Sequence, residues 1–316
     1  MNYKRLKNIV GWGVVVLIGY FFWRALSRNW ERVQEINIGV TLEAIIATLL
    51  FALAVLVSGY LWGMVFARIS GKHVSVKEAT RAHIGAWILK YIPGQVGALL
   101  YKLQWGTRYG VSKKVTTVAF AYEMLFLTLA STVVIIPILL ITSGDATGSS
   151  LLAIYLLAIA ALVIFTRKRL NQAIILFLSR VSGKNITNRY VLALREITAF
   201  AGWFSIPRII NAVGFVILTV SLFDISSAAY VPLGAAYILA GIVGIYAIFV
   251  PSGLGVREAV IVAFASVFMS PEEAIVLSLL ARFYATIADG LLALIYVYLK
   301  RSNDPNTNKP IEAETA

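Results

Sequence analysis

Hydrophobic positions in this chain fall into long uninterrupted runs, without the alternation or the one-sided helical stripe of half-buried elements. A helix needs roughly 20 mostly apolar residues to cross ~30 Å of hydrocarbon. The runs at 9–23, 44–66, 115–141, 151–166, 200–222 and 274–299 predict six spanning helices, the first of them short and Trp-flanked. Two further apolar stretches, 84–100 and 233–269, are interrupted by Pro and Gly, which predicts helices broken within the membrane. Lys4, Arg5 and Lys7 precede the first run as they would in a secretory signal. Trp23, Arg24 and Arg28 crowd the small-residue site Ala25-Leu26-Ser27, so an uncleaved first helix is the expectation.

Composition agrees with the pattern. Apolar residues make up 59% of 316 and charged residues 14%, with a mean hydropathy of +0.82. Soluble chains average ~45–50% and ~25%. One integral membrane domain is therefore expected over 1–301, in the cell (cytoplasmic) membrane, followed by a disordered cytoplasmic tail over 302–316 that carries Pro, Asn and acidic residues. The net charge of +13 has the sign of a nucleic-acid binder. Its distribution answers that. Twenty-one of the 28 basic residues fall before the first run, in the loops 68–81 and 102–114, in 167–195, and after 299, all assignable to one face by the positive-inside rule. Topology accounts for the charge, and nucleic acid drops out. With no cysteine, thiolate chemistry, disulfides and Cys-ligated metals are excluded. His73 and His83 are expected at the interface, and no metal site or cofactor is expected.

Loop charge also orients the two broken segments. Basic loops flank both ends of the first, so it enters and leaves from the cytoplasm. Acidic or neutral loops flank the second, so it dips from outside. The predicted fold is all-α and polytopic: six full spans plus two oppositely oriented re-entrant hairpins (about 84–108 and 233–269), with both termini cytoplasmic. The breaks read Lys90-Tyr91-Ile92-Pro93-Gly94-Gln95-Val96-Gly97 and Val250-Pro251-Ser252-Gly253-Leu254-Gly255-Val256-Arg257-Glu258, sharing P-x-x-x-G. Half the chain separates Pro93 from Pro251. Glu123 follows Pro93, and Arg282 follows Pro251, at nearly the same offset. Three spans between the hairpins invert the second copy, the signature of inverted-topology repeats with a substrate site near the midplane. Kinks in ordinary packed helices are the simpler alternative for either break alone. A broken backbone inside a bilayer survives only against protein or a wet cavity, and half-helix N-termini after Gly-rich turns suit a phosphate.

The segment Val250–Phe264, VPSGLGVREAVIVAF, resembles a hallmark of the lysylphosphatidylglycerol synthase transmembrane-region family, also called flippase-like integral membrane proteins. Lys90–Ser112, KYIPGQVGALLYKLQWGTRYGVS, followed by Ala121-Tyr122-Glu123, is similar to its other hallmark. The likeness runs over roughly residues 5–300. Where other members often carry an acidic residue and an Arg after the first turn, this chain has Ala98 and Tyr101, with Lys102 the nearest base. No lysyl-transfer domain follows, so the resemblance implies lipid translocation or an accessory role in a lipid pathway, and not aminoacyl transfer.

Charges within spans cost ~2.5–3.5 kcal/mol on insertion scales and so face a cavity or a partner. Arg257 is the leading phosphate ligand, with Lys102 and Arg282 beside it; Glu123 and Asp289 balance charge or carry protons. Glu258 caps its helix or joins the site. Lys90 either snorkels to the interface or lines the site. Arg282 and Asp289, seven apart on one helix face, are expected to be neutralised through an intermediary, or Arg282 by Glu123. Arg208 and Asn211 form a polar stripe beside Pro207, unless Arg208 reaches the interface. Pro93, Gly94, Gly97, Pro251, Gly253 and Gly255 shape the turns. No nucleophile, acid–base set, zinc motif or nucleotide loop accompanies them. The chain therefore reads as a non-enzymatic lipid transporter, flippase or scramblase-like, for an anionic phospholipid or a polyprenyl-phosphate-linked glycolipid. The alternative is a membrane scaffold whose basic amphipathic stretch 167–195 docks a cytoplasmic lipid-modifying or glycosyl-transferring enzyme. Membrane lipids are the partners in the first reading; a cytoplasmic enzyme or a homodimer would add a protein partner.

Overall fold

The computed structural model describes residues 41–92, 96–142, 192–247 and 250–301, with Tyr20, Trp23, Arg24 and Ser27, and backbone alone at 136–142, 194, 251 and 301. The predicted spans at 9–23 (nearly all of it) and 151–166, the basic stretch as far as residue 191, the tail, and Pro93 and Gly94 lie outside the described residues.

Among the described residues the chain forms eight α-helices and no strand: α1 (Leu42–Ser70), α2 (Val76–Ile88), α3 (Val96–Arg108), α4 (Lys113–Thr142), α5 (Leu194–Leu222), α6 (Tyr230–Tyr246), α7 (Val256–Ala265) and α8 (Pro271–Arg301). Four of them, α1, α4, α5 and α8, coincide with predicted spans and extend each at both ends, except that α5 extends its span only at the start. Five helical segments are long and apolar enough to cross a membrane: Leu42–Ser70, Lys113–Ile135, Arg195–Leu222, Ser227–Tyr246 and Pro271–Lys300. The fourth of these falls in the second broken stretch. Leu42, Leu49, Val220 and Leu294 point outward, uncovered by protein. Long apolar helices with apolar outer faces make this a multi-pass membrane protein.

The helix ends follow local chemistry. Thr41 Oγ1 accepts the Ala44 N–H at 3.2 Å to start α1, and Gly71, at φ 66°, stops it. Ser75 Oγ accepts the Glu78 N–H at 3.3 Å at the start of α2. Both predicted breaks exist. The first lies between α2 and α3, which are 13 residues each; α2 begins well before the start that the apolar pattern indicated. The second separates α6, of 17 residues, from α7, of 10. The two arms are unequal because the apolar run before Pro251 is the longer one. Helix α2 packs on α3 and α6 on α7, and the short 3₁₀ turns at Leu89–Tyr91 and Pro251–Gly253 touch.

Two cores flank this meeting point. One joins the first half of α1, the second half of α5, and α6, α7 and α8, around Phe51, Phe215, Leu233 and Leu277. The other joins the second half of α1, the start of α5, and α2, α3 and α4, around Trp62, Phe66, Tyr122 and Phe204. Helices α1 and α5 thread both. Close approach depends on small residues: a Cβ on Gly63 would collide with that of Ala79, and its absence lets α2 rest on α1. Residues 51–58 of α1 pass from one core to the other, and a cavity lies beside them.

Candidate functional site

Helix α2 ends at the first break because Ile92, preceding Pro93, is held extended (φ −82°, ψ 124°). The turn so formed aims three donors at one carboxylate. Asp289 of α8 accepts from Trp87 Nε1 at 2.7 Å, from the Tyr91 hydroxyl at 2.8 Å, and from Lys90 Nζ at 2.8 Å and 2.6 Å through its two oxygens. The Lys90 ammonium also sits 4.2 Å from the centre of the Trp87 ring. Lys90 is thus bound inward to Asp289, and the snorkelling alternative is ruled out.

Beside this group, α3 and α4 face each other through charge. Lys102 Nζ donates to Glu123 Oε2 at 2.5 Å, and both residues are almost fully buried. His83 of α2 completes the group, its Nδ1 lying 3.3 Å from Glu123 Oε1 and 3.4 Å from Lys102 Nζ. A neutral ring with its proton on Nδ1 satisfies Glu123 without opposing the ammonium, which leaves the buried Nε2 an acceptor with no partner. His83 is 6% exposed, so its expected interfacial position is wrong. The carboxylate supplied by α4 holds it inside.

The second break is built from left-handed backbone. Ser252 (φ 52°), Gly253 (φ 68°) and Gly255 (φ 79°) turn the chain, and Ser252 alone of these carries a Cβ into that region. The Gly255 N–H then donates to Glu258 Oε2 at 2.7 Å, so Glu258 caps α7. Its other oxygen lies 3.9 Å from Arg282 Nε, and Arg282 Nη1 donates to the Ser252 carbonyl at 3.2 Å. Arg257 projects elsewhere. Its stem crosses the bare Cα atoms of Gly244 and Gly253, where a Cβ on Gly244 would overlap Arg257 Cγ. Its guanidinium rests 5.8 Å from the centre of the Tyr237 ring.

The expected neutralisation of Arg282 by Glu123 is corrected by these contacts. Each half instead pairs the helix after its break with the next long helix: Lys102 with Glu123, and Glu258 with Arg282, the signs exchanged. Asp289 reaches across to the first break. Gly97 stands at the start of α3, where a Cβ would lie 2.8 Å from the Leu89 carbonyl oxygen.

A cavity of about 120 Å³ lies between the breaks, and every one of the eight helices contributes to its wall. His83, Lys90, Lys102, Glu123, Arg208, Arg257 and Asp289 line it, with Asn211, Tyr237 and Ser252. Of the residues singled out in the sequence, Glu258 and Arg282 stand behind it, and Gly253 and Gly255 set the turn. Arg208 is 9% exposed and its Nε has no partner, so it faces inward with Asn211. Neither Arg208 nor Arg257 has a carboxylate partner among the described residues. Sequence reasoning missed His83, Trp87, Tyr91 and Tyr237 as members of the site. The spacing of 83, 87 and 90 does put three polar-edged side chains on one helix face, which was the signal available.

Electrostatically the cavity divides into two closed pairs and two open cations. What such a place can do is hold an anion. No curated protein matches the chain closely enough to stand as a relative. The profile of the lysylphosphatidylglycerol synthase TM region family matches residues 8–293, spanning both breaks and every lining residue, and the chain belongs to that family.

Proposed function

We propose that this protein moves an anionic lipid between leaflets, passing the head group through the cavity while the acyl chains stay in the bilayer. Family membership supports a lipid-related membrane function. The observation that carries the finer reading is the pair Arg208 and Arg257, two cations in a wall that pairs every other charge it holds. A buried charge without a partner is costly, and an anionic phosphate with guanidinium-matched oxygens relieves it.

The topology that fits this role has six full spans, two hairpins dipping from opposite faces, and both termini cytoplasmic. At 1.5 Å per residue, α2, α3 and α7 are ~15–20 Å long, short of the ~30 Å of hydrocarbon, while Ser227–Tyr246 in the second hairpin is long enough to cross it. Backbone left open at the breaks, as at the Ser252 carbonyl, is met by protein, which is the condition for irregular chain at membrane depth. The reading is of a carrier in the cell membrane, and not of a group-transfer enzyme. The substrate is an anionic phospholipid or a polyprenyl-phosphate-linked glycolipid.

The test is a reconstituted leaflet-exchange assay with fluorescent anionic lipid in proteoliposomes. Arg257→Gln is expected to lower exchange at least tenfold while the protein elutes as the parent does from a sizing column. Unchanged exchange in Arg257→Gln and Arg208→Gln would remove the cavity from the mechanism.

A further inference from the structure

We infer that the cavity is built for a phosphate carrying two negative charges, a phosphomonoester or diphosphate lipid head group, in preference to a singly charged phosphodiester. This rests on the lipid-carrier reading above and narrows it. The argument is one of charge balance. Lys102 is closed by Glu123 and Lys90 by Asp289, at 2.5 Å and 2.6 Å. His83 meets Glu123 through Nδ1 at 3.3 Å and, as a neutral ring, adds no charge to the balance. What remains in the wall among the described residues is Arg208 and Arg257, two guanidinium groups without a carboxylate partner.

A phosphodiester brings one negative charge and two terminal oxygens. It would leave one guanidinium uncompensated in a site where Arg208 is already nine-tenths buried with an unpartnered Nε. A phosphomonoester above its second ionisation, near pH 6, brings nearly two charges and three strong acceptor oxygens, enough for both guanidinium forks. Arg257 packs its stem on the bare Cα atoms of Gly244 and Gly253, and Arg208 is already buried in the wall beside Asn211. Arg257 is therefore restrained before the ligand arrives, and burial limits what Arg208 must give up on binding.

The same chemistry belongs to free phosphate, so the experiment has to separate the two sources. The full-length protein in mild detergent is titrated calorimetrically with short-chain phosphatidic acid, with phosphatidylglycerol and with inorganic phosphate, at about pH 8 and about pH 5, on either side of the phosphomonoester's second ionisation. His83, Lys90, Lys102, Glu123, Asp289 and Tyr237 also face the cavity, so the readout is the ratio between the two lipids and not either affinity alone. Expected is a preference for phosphatidic acid of tenfold or more at the higher pH, which shrinks at the lower pH. Such a factor is ~1.4 kcal/mol, within what one charge-assisted hydrogen bond supplies. The preference should fall to near unity in Arg208→Gln and in Arg257→Gln. Equal affinity for the two lipids at both pH values, with both weakened by the Arg variants, overturns the dianion inference and leaves the carrier intact. Binding that ignores both arginines overturns the carrier reading with it. Inorganic phosphate binding as tightly as phosphatidic acid overturns the lipid half, leaving a soluble-phosphate site. Arg208→Lys, which keeps the charge and loses the fork, guards against misfolding and should retain most of the pH dependence.

Discussion

Removing Glu123 isolates what the buried pair contributes. In Glu123→Gln the Lys102 ammonium, 2% exposed, keeps the new amide, His83 Nδ1 at 3.4 Å and the Trp62 ring at 4.4 Å as close neighbours. None of these is an anion. Breaking a buried ion pair from one side costs ~3–5 kcal/mol, and a desolvated cation–π contact returns up to ~2 kcal/mol. The net loss should be ~2–3 kcal/mol. Lys102→Met should lose a similar amount, since it strands the carboxylate. The double variant Lys102→Met/Glu123→Gln strands nothing and should lose less than either single change, with a coupling energy of ~2–4 kcal/mol. Denaturant unfolding in detergent, followed by tryptophan fluorescence, measures all three. Strict additivity would mean that the ammonium and carboxylate are not partners, and Lys102 would then count as a third open cation, undoing the charge balance on which the phosphate site rests.

Other perturbations test other parts of the site. Gly244→Ala should displace the Arg257 stem, since the new Cβ overlaps its Cγ; anionic-lipid affinity should drop several-fold while the unfolding midpoint barely moves. Ser252→Gly relieves a left-handed φ of 52°. That conformation costs an L-residue ~1–2 kcal/mol, so unfolding should show stability kept or raised, whereas Ser252→Val should lower it. Asp289→Asn keeps an acceptor for Trp87 and Tyr91 but abandons the Lys90 charge. A loss of ~3 kcal/mol in denaturant unfolding is expected, with recovery in Lys90→Met/Asp289→Asn. Gly63→Val, at a contact where even a Cβ meets that of Ala79, should separate α1 from α2 and lower stability by ~1–3 kcal/mol or more in the same unfolding measurement.

The membrane character, the position of both breaks and the inward charges at Glu123, Arg257, Arg282 and Asp289 were legible in the sequence because each violates a strong rule. Long apolar runs admit few readings, and Pro, Gly and charge inside them are costly enough to mark themselves. The pairing was not legible. Which cation meets Glu123 depends on how α3 lies against α4, and three-dimensional neighbours 21 residues apart leave no periodic trace. Asp289 is further still from its partners, 199 residues along the chain from Lys90. An isolated histidine near a basic loop reads as interfacial, and only the carboxylate brought to His83 by α4 makes it internal. Arg208 was visible as a charge beside Pro207, and its orientation followed only from the packed helix.

Helix α8 holds both breaks at once: Arg282 grips the Ser252 carbonyl and Asp289 gathers Trp87, Lys90 and Tyr91. These two residues lie seven apart, ~10 Å along the axis. A ribosome delivers the chain from its N-terminus, so Lys90 is made and must be stowed long before its counter-ion exists. The Lys90 ammonium thus waits 199 residues for its counter-ion and the Ser252 carbonyl 30 for its donor, and α8 meets both when it docks. A chain that reaches Ala265 but stops short of Arg282 has α1 to α7 and neither of the contacts that α8 makes to the two turns.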